Sequence, residues 1–484
     1  MIDDARFDEL LQKQHEWWTR FFDKSSVTLE DKELERHWYT GLYVMACCAR
    51  NKKFPPGLWG NFSTADGMAW MGDYHLNYNF EAPFYALSSC NHTELMDCYD
   101  TPLHDFIPKA KRYARDYLGC RGIYFPVGIG PIGIETDIRP GTKEHSHLFL
   151  GQKSNAAYAS VIMMMRWYST YDEDYAREYI LPFLKEAATF WEDYLVYRDG
   201  KYWSHNDSLN EVEFWAGSDY MPTKEDETNP ILTVGLVRMM MKCLVDICTT
   251  LGVESDRIPH WQDIAENFGP AKTLTIDDKV VLRGTENEKA FRFLVIQYVY
   301  PANAVGPLTS PELLEAARNS IDMLGAWEHD NLFCSFYPAA VRVGVSSDEI
   351  IGHMKECIHK HQLPNGMFAF AGGGIENSAA IPMTINEMLL QSYEHVLRFF
   401  PNWNPQSPAS FRGLRAFGAF VVDGSIRDGV MEAVIRSEKG KTLRVEYPAP
   451  GYVLYRGEER IPLTDPITTV ETAAGDVFHL IKEN

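Results

Sequence analysis

The chain has 484 residues, of which 45% are hydrophobic and 23% charged, and its formal net charge is −21. This acidity excludes nucleic acid as a partner, because binding a phosphate backbone requires clustered Lys and Arg. No apolar run approaches the roughly 20 residues that cross a bilayer, so no membrane association is expected. An acidic N-terminus and nine irregularly spaced cysteines predict a cytoplasmic protein with reduced thiols.

Helical periodicity dominates the chain up to about residue 400. Apolar residues recur at three- and four-residue intervals, with connections that lack strand patterns. Long helices are predicted at 31–49, 104–118, 154–169, 173–195, 231–251, 312–325, 348–361 and 382–400, and shorter ones at 4–22, 78–90, 258–268 and 333–343. Helices in this number favour an (α/α)6 toroid, or six-hairpin barrel, whose site lies in loops at one end. An open helical solenoid is the alternative, although no repeat of fixed length is visible.

The pattern changes after residue 405. Segments 414–422 and 430–436 alternate between apolar and polar residues, and turn signals recur near Asp428-Gly429 and Lys439-Gly440. We therefore predict two domains, a helical domain at 1–405 and a small antiparallel β-domain at 406–484.

The most informative segment runs from Met71 to Phe80. It contains Asp73, His75 and two amides two residues apart, Asn77 and Asn79. In an extended backbone, side chains at i and i+2 project to the same side, so the two amides would converge. Convergent amides suit one carboxylate or one pair of sugar hydroxyls. The segment therefore predicts a carbohydrate-processing pocket.

Aromatic rings near this and other polar segments are candidates to stack on a sugar. Most aromatic residues at such spacing belong to the core, so only two or three are expected to line a pocket. The candidates are Trp59, Trp70, Tyr74, Trp203, Trp215, Tyr298 and Tyr300. Asp73 and His75 are candidates for polar sugar contacts, although satisfied buried polar groups are the more frequent outcome. Two pairs of histidines, in 145–147 and 359–361, lack the Cys or acidic partners of a zinc site, so no metal is expected.

Several segments together resemble glycoside hydrolase family 95, the α-L-fucosidase and α-L-galactosidase group. The resemblance begins with Leu58-Trp59-Gly60, Gly72-Asp73-Tyr74-His75 and Asn77-Tyr78-Asn79. It resumes at Ile375-Glu376-Asn377 and the helix that follows, and continues through Gly413-Leu414-Arg415-Ala416. It implies an (α/α)6-barrel catalytic domain followed by a β-domain. Family members usually carry a large N-terminal β-domain as well, whereas this chain begins at the helices that lead into the barrel.

The resemblance also implies the reaction and the roles of two carboxyl groups. Inverting hydrolysis requires two carboxyl groups roughly 6.5–9.5 Å apart, one protonated and one ionised. Glu211, in the loop 204–215, is the implied general acid, with Glu213 as the alternative. Glu376 stands where the family has Asp and is the implied base, oriented by Asn77 and Asn79. Without the resemblance, a solvated acidic loop and a helix-capping Glu are the simpler interpretations.

The remaining expectations concern the substrate and its rivals. Asn206 and Asn377, which flank the candidate carboxyl groups, and Trp215 are expected to contact the sugar. The implied substrate is a terminal α-L-fucosyl or α-L-galactosyl unit on an oligosaccharide, with no cofactor. Alternatives are a glycosidase or phosphorylase of the same barrel that acts on another sugar, and a non-catalytic carbohydrate-binding protein. Neither the sugar, the linkage nor the oligomeric state follows from the sequence.

Overall fold

A computed structural model describes residues 4–62, 66–137, 150–209, 228–286, 293–329, 333–369, 374–464 and 466–483. The α-helices in these ranges are α1 (Asp4–Phe22), α2 (Lys32–Cys48), α3 (Tyr85–Ser89), α4 (Asp100–Leu118), α5 (Asn155–Thr170), α6 (Glu173–Tyr175), α7 (Leu181–Tyr194), α8 (Ile231–Leu251), α9 (Ile258–Asn267), α10 (Pro311–Leu324), α11 (Phe333–Arg342), α12 (Ser347–His361) and α13 (Ala380–Leu389). Two 3-10 segments, Phe293–Tyr298 and Ile375–Ala379, also contribute to the barrel.

Six helical segments in the described ranges form a closed inner ring: α3, α5, α8, Phe293–Tyr298, α11 and α13. Each contacts the next in this order, and α13 returns to α3. The inner segments are buried on nearly all sides, and every residue of α13 is buried, including the polar Asn386 and Glu387. Outer helices pack against them, with α9 on α8, α2 on α13 and α12 on α11. The predicted (α/α)6 barrel is confirmed.

Strands in the described ranges form one large sheet and several short pairs. The strands are β1 (Ser26–Leu29), β2 (Tyr74–His75), β3 (Gly128–Ile129), β4 (Val196–Arg198), β5 (Lys201–Trp203), β6 (Thr273–Ile276), β7 (Lys279–Leu282), β8 (Leu390–Gln391), β9 (Arg398–Phe399), β10 (Ala409–Ala416), β11 (Phe420–Arg427), β12 (Val430–Ser437), β13 (Leu443–Glu446), β14 (Tyr452–Arg456), β15 (Glu459–Pro462), β16 (Ile467–Val470) and β17 (Val477–Lys482). The large sheet has the order β1-β10-β11-β12-β17-β14-β15, and its pairs are antiparallel. The predicted C-terminal antiparallel sheet is confirmed, but its edge strand β1 comes from the N-terminal region.

Two expectations about the helical region are wrong. Helix 382–400 ends at Leu389, because Leu390 turns extended and β8 pairs with β9. The apolar period continued past this point because Val396 and Phe399 are buried where the barrel meets the sheet. The connections also contain strands, since β4 pairs with β5 and β6 with β7.

The two ends of the barrel carry different structures. The segments that precede α3, α5 and α13 enter the inner ring at one end and hold Asn79, Gln152 and Glu376. At the other end, the sheet covers the last turn of α5, where Gly418 N and Ala419 N donate to Tyr168 O. Within the described ranges, none of the helices combines the length and apolar character needed to cross a membrane.

Candidate active site

Glu376 lies in the 3-10 segment directly before α13 and is fully buried. Its position depends on Gly374, where an added Cβ would lie 2.1 Å from Leu58 O and 2.5 Å from Glu376 Oε2. The neighbouring Ile375 N donates to Leu58 O at 3.0 Å. The missing side chain therefore allows the backbone to close against Leu58 while the carboxyl group folds back over it.

Asn79 orients the Glu376 carboxyl group. Asn79 Nδ2 donates to Glu376 Oε1 at 2.7 Å, a short bond between residues 297 positions apart. Cys334, in the first turn of α11, donates from Sγ to the backbone oxygen of Glu376 and from N to the Tyr78 hydroxyl. Burial, and then the charge of Glu376, raises the pKa of the Cys334 thiol, so the thiol stays protonated as a donor.

Asn77 has a different partner from Asn79. The backbone is extended only as far as His75, after which Phe80 N donates to His75 O and Ala82 N to Tyr78 O. The extended conformation assumed for the amides is therefore wrong, because residues 76–81 form consecutive turns. Asn77 Nδ2 donates to Gln152 Oε1 at 3.0 Å.

The Asn77–Gln152 pair reaches the loop that leads to the predicted acid. Gln152 Nε2 donates to Leu209 O at 3.4 Å, and Lys153 N donates to the buried Asp207 carboxylate at 2.8 Å. The Lys153 ammonium donates to the backbone oxygens of Gly151 and Asn206. Glu211, Glu213 and Trp215 lie outside the described residues, and the segment that precedes them is fixed to the same end of the barrel as Glu376.

His75 lies near two further buried carboxyl groups, those of Asp73 and Asp137. His75 Nδ1 lies 3.2 Å from Asp73 Oδ1, and Thr136 Oγ1 donates to Asp73 Oδ2 at 2.7 Å. Asp137 accepts from Val127 N and is almost fully buried. Burial raises the pKa of Asp137 to about 8, and the nearby His75 opposes this shift. Asp73 directly precedes β2 in an extended conformation, so its side chain and that of His75, two positions later, project to one side.

Trp59 and Trp70 belong to the loop in front of this group. Trp59 Nε1 donates to Ala69 O at 3.2 Å, and the Trp70 ring lies 6.2 Å from His75 with its plane tilted by 64°. Both indoles are partly exposed. Trp70 and Met71 have φ values of 48° and 58°, which are strained for residues with a side chain. The strained turn places an accessible aromatic surface beside polar groups, as sugar stacking requires.

The other predicted aromatic residues lie in the core or outside this cluster. Tyr74 projects away from His75 and packs its ring on Phe80 at 4.9 Å. Trp203 is partly buried in the β4–β5 hairpin, where Nε1 donates to Arg198 O. The Tyr298 side chain lies against Gly235 of α8. The Tyr300 ring is buried 5.2 Å from that of Tyr85.

The two remaining polar candidates differ in exposure. Asn206 is exposed, and its backbone oxygen, not its side chain, accepts from Lys153. Asn377 is 1% exposed, and in the described structure both polar atoms of its side chain are buried without a hydrogen-bond partner. A buried donor and acceptor without partners cost free energy unless a ligand forms hydrogen bonds with them. Asn377 therefore remains the better candidate for a sugar contact.

Sequence reasoning missed Gln152, Lys153 and Cys334. The first two directly precede the predicted helix 154–169, and residues at that position enter the same end of the barrel as Asn77 and Asn79. Their place before an inner helix was therefore a usable signal. Cys334 offered none, because nothing in its local sequence distinguishes it from a core cysteine.

The comparisons with known proteins agree with this architecture. The model described as "Glycosyl hydrolase family 95 catalytic domain" matches residues 9–332. The chain belongs to this family. Among curated proteins, this family 95 chain is 32% identical over 112 residues to a periplasmic/secreted acid trehalase of Candida glabrata, a match that covers 23% of the chain and 8% of the trehalase.

Solved structures similar to this family 95 chain share its fold at low sequence identity. A putative kojibiose phosphorylase from the human microbiome has a TM-score of 0.57 and 12% identity, covering 97% of this chain and 63% of the phosphorylase. An α-L-rhamnosidase from Dictyoglumus thermophilum has a TM-score of 0.54 and 11% identity, covering 95% of this chain and 50% of that enzyme. This chain therefore spans less than two thirds of the length of each of these relatives.

Proposed function

We propose that the protein is an inverting glycoside hydrolase that releases a terminal α-L-fucosyl or α-L-galactosyl-type sugar from oligosaccharides. The observation that carries the proposal is the 2.7 Å hydrogen bond from Asn79 to the buried Glu376 carboxyl group, at the end of the barrel opposite the sheet. In this reaction Glu376 is the general base. It accepts a proton from the water that attacks the anomeric carbon, while Asn79 fixes the direction of its lone pairs.

Glu211 is the proposed general acid, which donates a proton to the leaving oxygen. Support comes from the anchoring of Leu209, two positions earlier, through Gln152 to Asn77. Two residues span at most about 7 Å, so the backbone of Glu211 cannot lie further than this from Leu209. Leu209 is itself fixed to the wall that also holds Asn79. Glu213 is the alternative acid.

Substitution of the two carboxyl groups tests the mechanism. Glu376→Gln retains an oxygen that accepts from Asn79 but cannot take a proton, so we expect kcat to fall by about 10² to 10⁴-fold. Glu211→Gln is expected to lose the same order of activity on substrates with poor leaving groups. Glu81→Gln is the matched control, because burial raises the pKa of Glu81 far above its usual value and an amide resembles the neutral acid. Near-full turnover by the Glu376 variant would remove it as the base.

The stereochemistry and the substrate need a separate experiment. Aryl α- and β-glycosides of L-fucose, L-galactose and other sugars are screened, and NMR identifies the first anomer released. Release of the β-anomer from an α-L-fucoside or α-L-galactoside supports the proposal, and release of the α-anomer contradicts inversion. α,α-Trehalose and kojibiose, the latter with and without inorganic phosphate, complete the panel because of the trehalase and phosphorylase similarities. Turnover that depends on phosphate would identify a phosphorylase instead.

A further inference from the structure

A cavity lies at the end of the barrel that faces the sheet. Its volume is about 350 Å³, within the range of small-molecule sites. α8 provides one wall, with Arg238 and Lys242 one helical turn apart. The opposite wall is aromatic: the Tyr168 and Phe417 rings lie 5.1 Å apart, and His395 meets Tyr168 edge-on at 4.7 Å.

The two cations on α8 are not held in ion pairs by any of the described residues. In the described ranges neither forms an ion pair with a carboxylate, although the chain carries a net charge of −21. Arg238 donates from one terminal nitrogen to Gly269 O at 2.5 Å, while its buried Nε has no partner in the described structure. Glu394, which also lines the cavity, is already paired with Arg398 at 2.6 Å. This side of the cavity, the positive wall, therefore carries two cations that are not ion-paired within the described structure, and the carboxylate that also lines the cavity is bound to Arg398.

The two cations on this wall repel each other. Partial burial of the ammonium, followed by the charge of Arg238, lowers the pKa of Lys242, whereas the carboxylates of Glu266 and Glu394 oppose this shift. An anion between the two groups would relieve the repulsion between them. The facing aromatic rings suit the apolar face of a pyranose.

We propose that this cavity binds a small anionic sugar, with its phosphate or carboxylate on Arg238 and Lys242 and its ring against Tyr168 and Phe417. The site is distinct from the Glu376 cluster. α5 separates the two, since it begins at Asn155 beside Gln152, and Tyr168 lies 13 residues further along, about 20 Å at 1.5 Å per residue. The inference does not depend on which glycoside the barrel hydrolyses.

Titration calorimetry on the full chain tests the proposal with four probes: glucose 6-phosphate, glucuronate, glucose and inorganic phosphate. We expect saturable binding of glucose 6-phosphate, of glucuronate, or of both, and the preference between them identifies the anionic group. Affinity is expected to fall as salt is raised. Glucose or inorganic phosphate binding as tightly as either anionic sugar would overturn the proposal, as would the absence of binding by both.

Variants locate the binding. Lys242→Gln and Arg238→Gln are each expected to weaken binding by about 10- to 100-fold, because each removes a charge-assisted contact. Lys439→Gln, an exposed residue of the β-sheet region, makes the same change in net charge and should bind normally. Glu376→Gln should also bind normally. Loss of binding in Glu376→Gln with full affinity in Lys242→Gln would place the sugar in the catalytic pocket and refute the inference. Lys242 is exposed, so its variant keeps the test valid if Arg238→Gln fails to fold.

Discussion

The side-chain amides of Asn77 and Asn79 bind different partners. Asn79 donates a hydrogen bond to the carboxyl group of Glu376, in the segment that precedes α13, whereas Asn77 donates to the neutral amide of Gln152. The difference arises because residues 76–81 turn instead of continuing the strand. Substitution by Asp, which changes charge but hardly changes shape, should therefore have unequal effects at the two positions.

Asn79→Asp is expected to change the pH dependence of hydrolysis. A second carboxylate within hydrogen-bond distance of Glu376 disfavours the ionised pair and raises the pKa of the base. The acidic limb of the kcat profile should then move to higher pH, with lower activity at neutral pH. Asn77→Asp is the control and should shift that limb much less. Equal shifts in the two profiles would contradict the assignment of Asn79 as the partner of the base.

Asp137 predicts a pH effect on stability. Its pKa is raised to about 8 in the folded protein, first by burial, against about 3.8 in the unfolded chain. Between these values the folded state holds a proton that the unfolded state lacks, so this contribution is complete below pH 4 and is lost as pH rises towards 8.

Asp137→Asn mimics the protonated acid and cannot titrate. Urea unfolding at pH 5, 6.5 and 8 should therefore show the variant gaining stability relative to the natural protein as pH rises. Asp8→Asn, at an exposed position of α1, controls for the loss of charge. Parallel stability curves for Asp137→Asn and the natural protein would show that Asp137 is already ionised.

At the scale of the elements, periodicity located most helices to within a few residues. The predicted segment 231–251 coincides with α8, and 348–361 differs from α12 by one residue. Pattern reasoning failed over 382–400, because the buried Val396 and Phe399 continue the apolar period of α13 beyond its end. This is why 382–400 was predicted as one helix, whereas Arg398 is drawn into ion pairs with Glu394 and Glu446 and belongs to a strand.

The strand β10 provides a matched test of backbone contacts. Gly413 has φ +69° at a break in the register, and an added Cβ would lie 2.2 Å from Lys24 O. Gly413→Ala should lower the free energy of unfolding by about 2 kcal/mol or more, through strain and the forced separation of β10 from the segment before β1. Gly352, inside α12, has no atom within 4 Å of an added Cβ. Gly352→Ala should raise stability by about 0.5–1 kcal/mol, and thermal unfolding in both variants measures the contrast.

At the scale of the whole molecule, the candidate active site and the sheet lie at opposite ends of the inner ring. The sequence alone did not pair Asn79 with Glu376, since 297 positions separate them; the family resemblance supplied that link. Nor did it indicate that β1 joins the C-terminal sheet, because a four-residue strand carries little pattern. Long-range pairings of this kind depend on the closure of the barrel, which no local window of sequence records.

The sheet and the barrel are joined so closely that we expect them to unfold together. β1 pairs with β10, and Arg415 donates to the α5 carbonyl of Ser169 and to Asn91. All 12 tryptophans precede the β10–β17 strands, the last at position 403, so their fluorescence reports mainly the helical part. A substitution in the sheet that lowers the fluorescence midpoint therefore measures coupling between the two parts.

Leu480→Ala is suited to this measurement. Leu480 is fully buried in β17, between β12 and β14, and its truncation should cost about 2–5 kcal/mol. In urea, the tryptophan fluorescence and the far-ultraviolet circular dichroism are expected to move to lower denaturant together and by the same amount. The kcat of the folded variant should be unchanged, because the Glu376 cluster lies at the other end of the barrel. A fluorescence midpoint that stays in place while the dichroism shifts would mean that the barrel is stable without its sheet.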